Sequence, residues 1–504
     1  MTKRAVCSGV AALGCAFVWT GGLRAQFGRG AGDWMTAGID AQRSSWIRTD
    51  GKISSAALQK PGFELLWKMK LDGGAKESFA GPMLLNSYIG YRGFRSLAYV
   101  GLSSNKVVGI DTDLGRIEWE KQLPGSAASG GCSGALTALT RPTTAPFPGA
   151  GGGRGFGGRG GAAKSAVGEA GEGSVILKQV AAAQAAAMDA RAGGRGAAQA
   201  RGGGFPFQRT ASLLNAFTGD GMLHTLLVSN GESYKPAVRF LPANSSARGL
   251  IVVDEVAYAA SSKDCGATAD ALIAIDLKSG EVAMWKPDSG VIAGSEGAAV
   301  GPDGTLYVAT SAGELAAIEP KTLKVKSVHK AGQAFVSSPV IFEGKDKAMI
   351  AAATQDGRIH LLDAASLDGA VATSDGVKLT AGSLASWQDS GGGRWILGSG
   401  SGVITALKVS EDGGAPSLKA GWTSRDIASP TAPVVVNGVI FTASTGSAPG
   451  VLYALDAATG KDLWNSSKAI AGAIRGGGIS VGNSQVYLAT SDGTFYAFGF
   501  PMEH

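Results

Sequence analysis

Charged residues make up only 17% of this 504-residue chain, and histidine and cysteine each occur four times. These shortages exclude several kinds of chemistry. His224, His329, His360 and His504 stand at no ligand spacing from one another, from a cysteine or from a carboxylate, so the sequence supports no zinc site. His360 falls inside an alternating apolar run and reads as a packing residue. No Cys-x-x-Cys-His occurs, which removes a built-in c-type haem. Gly398-Ser399-Gly400-Ser401-Gly402 lacks both the lysine and the following helix of a phosphate loop and reads as a hairpin turn. Asp111-Thr112-Asp113 begins like a calcium loop, but the remaining ligands are missing. The apolar stretch Ala5 to Val18 is too short to span a bilayer.

Glycine, by contrast, is abundant, with 78 residues, and much of it punctuates a repeat. One phrase recurs: an apolar alternation, an aspartate, a turn ending in glycine, then tryptophan. It reads Gly109-Ile110-Asp111 to Gly115 with Trp119, Ala274-Ile275-Asp276 to Gly280 with Trp285, and Ala454-Leu455-Asp456 to Gly460 with Trp464. Alternation is the period of a half-buried strand; the aspartate can accept from turn amides, and glycine takes the positive φ that ends the turn. The tryptophan then falls on the returning strand, where a large ring fills the gap to a neighbouring sheet.

A second glycine series, Gly313, Gly357, Gly402, Gly446 and Gly493, follows the upstream strand of each unit at a spacing of about 45 residues, the period of propeller blades. The expected fold is therefore an all-β propeller of about eight four-stranded blades. Its ends predict how the ring closes. The chain finishes on an inner strand, Thr494 to Phe498, with no outer strand after it, while Phe63 to Met69 with Trp67 is an orphan outer strand near the start. The N-terminal strand is expected to complete the last blade.

Lys3 and Arg4, the apolar stretch and the Gly21-Gly22-Leu23-Arg24-Ala25 run read as an export signal over residues 1–25, leaving residues 26–504 as the propeller. Export implies a periplasmic or secreted protein without a transmembrane span. The formal charge of +6 falls with the loss of Lys3, Arg4 and Arg24, and much of the rest belongs to a Gly/Arg/Ala-rich segment, 149–205. A near-neutral body argues against nucleic acid as partner, so the segment reads as a disordered insertion in the second blade rather than an RNA-binding tract. Of the cysteines, Cys132 and Cys265 survive export; they form either one disulfide or two free thiols.

The Ala-x-Asp-x-x-Thr/Ser-Gly-x-Trp phrases resemble the pyrroloquinoline quinone (PQQ)-type repeats of quinoprotein propellers, from about Asp33 to Phe500. Asp33-Trp34 to Asp40-Ala41-Gln42-Arg43 is similar to the N-terminal signature of the dehydrogenase branch, which binds PQQ with calcium. The same repeat builds an exported scaffold subunit of outer-membrane β-barrel assembly. The enzyme pattern has gaps here: many alcohol dehydrogenases carry an adjacent cysteine pair, whereas Cys132 stands between Gly131 and Ser133. Trp387 is the candidate face for a quinone and Asp389 the candidate base or calcium ligand, beside the plainer reading of an interblade tryptophan next to a turn aspartate. Arg141, Arg248 and Arg475 are candidates to line the channel mouth and hold an anion. The resemblance with its missing redox motifs leads to a monomeric, non-catalytic scaffold that binds a protein or peptide in the envelope. The alternative is a PQQ- and calcium-dependent dehydrogenase of alcohols or sugars.

Overall fold

Each repeated phrase folds as its alternation dictates. Leu452–Asp456 pairs antiparallel with Asp462–Asn465. In the turn, Asp456 Oδ1 accepts from the amides of Ala458 (3.2 Å) and Thr459 (3.0 Å), and Gly460 sits at φ 71°. The same construction recurs at Asp276, bonded by Lys278 and Ser279, and at Asp111, bonded by Asp113 and Leu114. The second glycine series marks another turn. In two of these a buried threonine hydroxyl donates to an aspartate two residues on, Thr354 to Asp356 at 2.6 Å and Thr490 to Asp492 at 2.5 Å. All five clock glycines adopt φ between 80° and 91°, the left-handed region open to glycine without a Cβ penalty.

The computed structural model describes residues 32–71, 79–90, 93–126, 136–140, 212–262, 270–345, 347–377, 379–410, 416–474 and 478–501. Its strands form eight sheets, arranged as an eight-bladed propeller. In chain order the blades run over 83–122, 136–239, 246–285, 299–330, 340–373, 379–423 and 434–465, and the eighth combines 480–499 with 64–70. Glu64–Lys70 pairs antiparallel with Thr494–Gly499, placing Trp67 opposite Ala497; the N-terminal strand completes the last blade, as the orphan strand implied. Seven blades have four strands. The seventh has a fifth that alternation did not reveal, because Trp46–Ile47 joins the inner strand Val434–Val436 in parallel.

Tryptophans tie blade to blade. Trp67 Nε1 donates to the Thr112 carbonyl of the first blade (3.1 Å), Trp119 to Val228 of the second (3.0 Å), and Trp422 of the sixth to Ala457 of the seventh (3.1 Å). Each ring lies over a positive-φ glycine of the next blade, at Gly115, Gly231 and Gly460. A Cβ on Gly460 would come within 2.3 Å of the Trp422 ring, so that glycine is required both by its backbone and by its neighbour.

The chain leaves the second blade after Thr140 and returns at Leu213. Residues 1–25 and 149–205, together with Cys132 and Cys265, lie outside the described residues. Among the described residues, no helix is long and apolar enough to cross a membrane.

Deleting residues 61–71 removes the outer strand of the eighth blade and the Trp67 contact to the first. We expect the deletion to lower the thermal midpoint while unfolding stays one cooperative transition, read by circular dichroism. An unchanged midpoint would show that closure contributes nothing.

Candidate functional site

Sheets ranged around an axis leave their innermost strands with unpaired backbone groups facing the channel, and buried groups of that kind need partners. Residues 33–50 supply them. Trp34 exchanges both backbone bonds with Leu84 of the first blade (2.9 and 3.0 Å). Thr36 Oγ1 donates to Leu250 of the third blade (2.6 Å). The carbonyls of Ala41, Gln42, Ser44 and Ser45 then accept from Val300, Ile341, Ser386 and Val435, at 2.8–2.9 Å. These amides belong to blades four, five, six and seven in turn. Asp50 accepts from Ser484 of the eighth, at 2.6 Å for the hydroxyl and 3.1 Å for the amide. One short segment thus circles the axis and fills it. Such tight turning needs unusual backbone: besides Gly38, Ile39 (φ 73°), Arg43 (φ 59°) and Ser45 (φ 48°) are left-handed, a conformation a β-branched residue adopts only under strain.

Arg43 is the hub of this segment. It is fully buried and donates to the carbonyls of Ala298 (2.9 Å), Ala37 (2.7 Å) and Gly249 (2.8 Å) and to Thr36 Oγ1 (2.8 Å). The guanidinium therefore joins the segment to the third and fourth blades. Burial lowers its pKa to about 10, and only the nearby Glu296 and Asp40 carboxylates resist that fall. Asp40 bonds the amide and hydroxyl of Ser44, yet burial still raises its pKa. Burial pushes Glu296 up to about 7 against the pull of Arg43. Glu296 is 8% exposed, and its Oε2, which no hydrogen bond satisfies, lies 2.8 Å from where a Cβ on Gly38 would stand. Sequence reading missed Glu296. The signal was a lone carboxylate in the glycine and alanine run from Val291 to Val300.

Beside this cluster lies a recess of about 10 Å³ bordered by Asp40, Gln42, Ser44, Trp46, Ser386 and Arg394. It has room for about one water. Gln42 Oε1 and Ser386 Oγ are buried without a protein partner, a demand that one water can meet. Trp46 carries Arg48 at 4.4 Å and Arg394 at 5.4 Å from its ring centre.

The residues singled out from sequence fall elsewhere. Trp387 is 5% exposed, and its ring stacks on Trp395 with centroids 6.4 Å apart. Asp389 closes a hairpin: Oδ1 accepts from the amides of Gly391 and Gly393, and Oδ2 from Trp395 Nε1 at 2.8 Å. Partial burial works against the charge, but these bonds hold the carboxyl below its usual pKa. As placed, neither residue fits the quinone or its calcium: the ring is covered and both carboxylate oxygens are engaged. Arg248 lies on the inner strand of the third blade and donates to the carbonyl of Ile292, ahead of the fourth. Arg141 and Arg475 lie outside the described residues. His329 and His360 come together between the fourth and fifth blades, ring centres 6.0 Å apart and both buried; His224 is buried in the second.

Two predictions follow from the buried charges. Because the folded pKa of Glu296 lies above its unfolded value of 4.5, its protonated form favours the fold. That contribution is complete below about pH 4.5 and is lost as pH rises through 7. Glu296→Gln should flatten this part of the stability profile, gaining up to about 3 kcal/mol on the parent between acidic pH and pH 8, by urea titration. Arg43→Met leaves four acceptors without their donor and should cost roughly 3–5 kcal/mol in the same assay.

Residues 269–499 match a family model described as outer membrane protein assembly factor BamB. No curated protein gives a significant sequence match. Among solved structures, a europium-containing methanol dehydrogenase aligns at TM-score 0.57 and 11% identity, covering 93% of this chain and 98% of its own. Quinohemoprotein alcohol dehydrogenase from Comamonas testosteroni aligns at 0.54 and 13%, covering 94% and 81%. BamB from Moraxella catarrhalis aligns at 0.49 and 14%, covering 88% and 99%. At such identities the structural likeness is one of fold. Taken with the tryptophan-bearing repeats and the eight blades, the match over this part of the chain supports a PQQ-like repeat β-propeller.

Proposed function

We propose that this chain is a non-catalytic scaffold of the cell envelope, exported by residues 1–25, whose 26–504 ring acts as a monomer and binds a protein or peptide through loops and blade edges. One observation carries the reading. The channel axis, where a propeller can hold a small ligand, is taken by the chain's own residues 33–50, whose carbonyls and hydroxyls are bonded to the inner strands. The recess left beside them holds about one water, whereas a small-molecule site needs a few hundred cubic ångströms. Binding surface is then left on the outside of the ring. The family match to an assembly factor agrees with such a role.

The second reading is a dehydrogenase using PQQ and calcium, favoured by the N-terminal Trp34, Asp40 and Arg43, which resemble that branch. Calorimetric titration of the purified ring with PQQ and calcium, beside dye-linked oxidation of an alcohol and sugar panel, separates the two. The scaffold reading expects no saturable heat and no dye reduction, and a specific protein cross-linked to the ring in whole envelopes. One-to-one binding with turnover would replace it by the dehydrogenase.

A further inference from the structure

Two of the buried histidines meet where the fourth and fifth blades adjoin. His329 lies on Val325–Lys330, the outer strand of the fourth blade, and is the one buried residue of that strand. The strand has no tryptophan, the residue by which the eighth, first and sixth blades bond the next blade; its inward side chain is this imidazole. His360 lies on Ile359–Asp363 of the fifth blade, between Ala352 and Thr373 of the flanking strands. The ring centres are 6.0 Å apart, with the planes inclined at 56°, and the buried Phe335 stands edge-on to His360 at 5.8 Å. Each imidazole is 8% exposed, so the blades cover the pair without sealing it from solvent.

Packing alone does not account for the pair. His329 Nε2 and His360 Nδ1 are both buried without a hydrogen-bond partner. A buried polar atom left unpaired keeps the full cost of its desolvation, and a phenylalanine in either place would pack without that cost. Burial holds both imidazoles below their usual pKa, helped at His360 by His329 and Arg358 and opposed there by Asp356. Near neutral pH each ring is therefore uncharged and offers one lone pair, the form in which histidine binds metals. A zinc–imidazole bond is about 2.0–2.1 Å, so two imidazoles on one ion set their ring centres roughly 5–6.5 Å apart. The observed 6.0 Å lies in that span.

We infer that His329 Nε2 and His360 Nδ1 form a two-histidine site for a divalent transition ion, zinc or copper, at the junction of the fourth and fifth blades. Each ring keeps its proton on the other nitrogen and gives the ion one lone pair. Among the described residues no group of three or more histidine, cysteine, aspartate or glutamate side chains could hold a metal, so water fills the remaining positions and the ion stays exchangeable. Once bound, it ties the outer strand of the fourth blade to the third strand of the fifth. The site goes beyond the scaffold reading and holds whether the ring is a scaffold or an enzyme.

Calorimetric titration of the metal-free, untagged protein with zinc chloride tests the site. Binding should saturate at one equivalent, and the thermal midpoint should rise with zinc concentration, because the ion binds the folded junction and not the unfolded chain. His329→Phe and His360→Phe should each weaken zinc by about tenfold or more and abolish that rise, while the metal-free circular dichroism spectrum stays that of the parent. His504→Ala, and Cys132→Ser with Cys265→Ser, should bind zinc like the parent. Copper(II) gives a readout that needs no substitution: its electron spin echo modulation should report two coordinated imidazoles. No saturable zinc binding, binding that survives either histidine substitution or is lost with the cysteines, or copper held by fewer than two imidazoles would overturn the site. The cross-linking and quinone titrations contain no transition ion, so failure here leaves the functional reading where it stood.

Discussion

Eight sheets around one axis create a requirement that no single blade can meet: the innermost strands turn backbone donors and acceptors toward a space that excludes bulk water. Unpaired, each such group costs about as much as a lost buried hydrogen bond. The chain meets the requirement with one N-terminal segment, bonded in turn to the first, third, fourth, fifth, sixth and seventh blades and, through Asp50, to the eighth. Much else follows from it. The segment needs left-handed residues to turn so sharply, and an arginine at its centre bonds three carbonyls and a hydroxyl that would otherwise lack donors.

Those bonds explain why a charge is tolerated there. A guanidinium has five N–H donors and no acceptor, which suits a site crowded with carbonyl oxygens from two blades and the segment itself. The bonds of Arg43 go to Ala298, Ala37, Gly249 and Thr36, and Asp40 and Glu296 act on it through space. Both acids share the desolvation that weakens the arginine, which raises the Asp40 carboxyl above its usual range and pushes Glu296 up to about 7. The bonds tie register to this one side chain: Thr36, Ala37, Gly249 and Ala298 all meet on one guanidinium.

The ring was legible in the sequence because its signals are local and repeated. Asp456 and Gly460 shape a turn through neighbours within four residues, and Trp67 announced an outer strand whose partner was missing. The channel filling was not legible. The opening tryptophan, aspartate and arginine could be noticed as a signature, but their partners lie hundreds of residues away, as with Arg43 and Ala298, and no periodicity encodes them. The parallel addition of Trp46–Ile47 to the seventh blade was hidden for the same reason: a two-residue strand has no period. Trp387 and Asp389 stood out by residue type alone, and type does not report that a ring is stacked on Trp395 or that a carboxylate is bonded by its own turn.

Residues 33–70 therefore act twice, first as the filling of the axis and then as the outer strand of the last blade, and both roles depend on sequence made much later. The Asp50 and Ser484 contact spans 434 positions, and every bond from the segment to blades three to seven also closes a long loop. Loop closure of that kind is slow and precedes the burial that rewards it. Individual blades hold only neighbour contacts and can form as hairpins, but neither edge of the ring is satisfied until the final strand, Thr494–Gly499, is present to receive Glu64–Lys70. Glu64–Lys70 stays unpaired until then, and the groups of the N-terminal segment that bond later blades stay free until those blades are made. Its own composition suits the wait: from Thr36 to Ser45 it alternates small, polar and charged residues with the single aliphatic Ile39, too little apolar surface to collapse alone. The sequence that makes this segment a poor structure by itself leaves its bonding groups free for the blades that follow it in the chain.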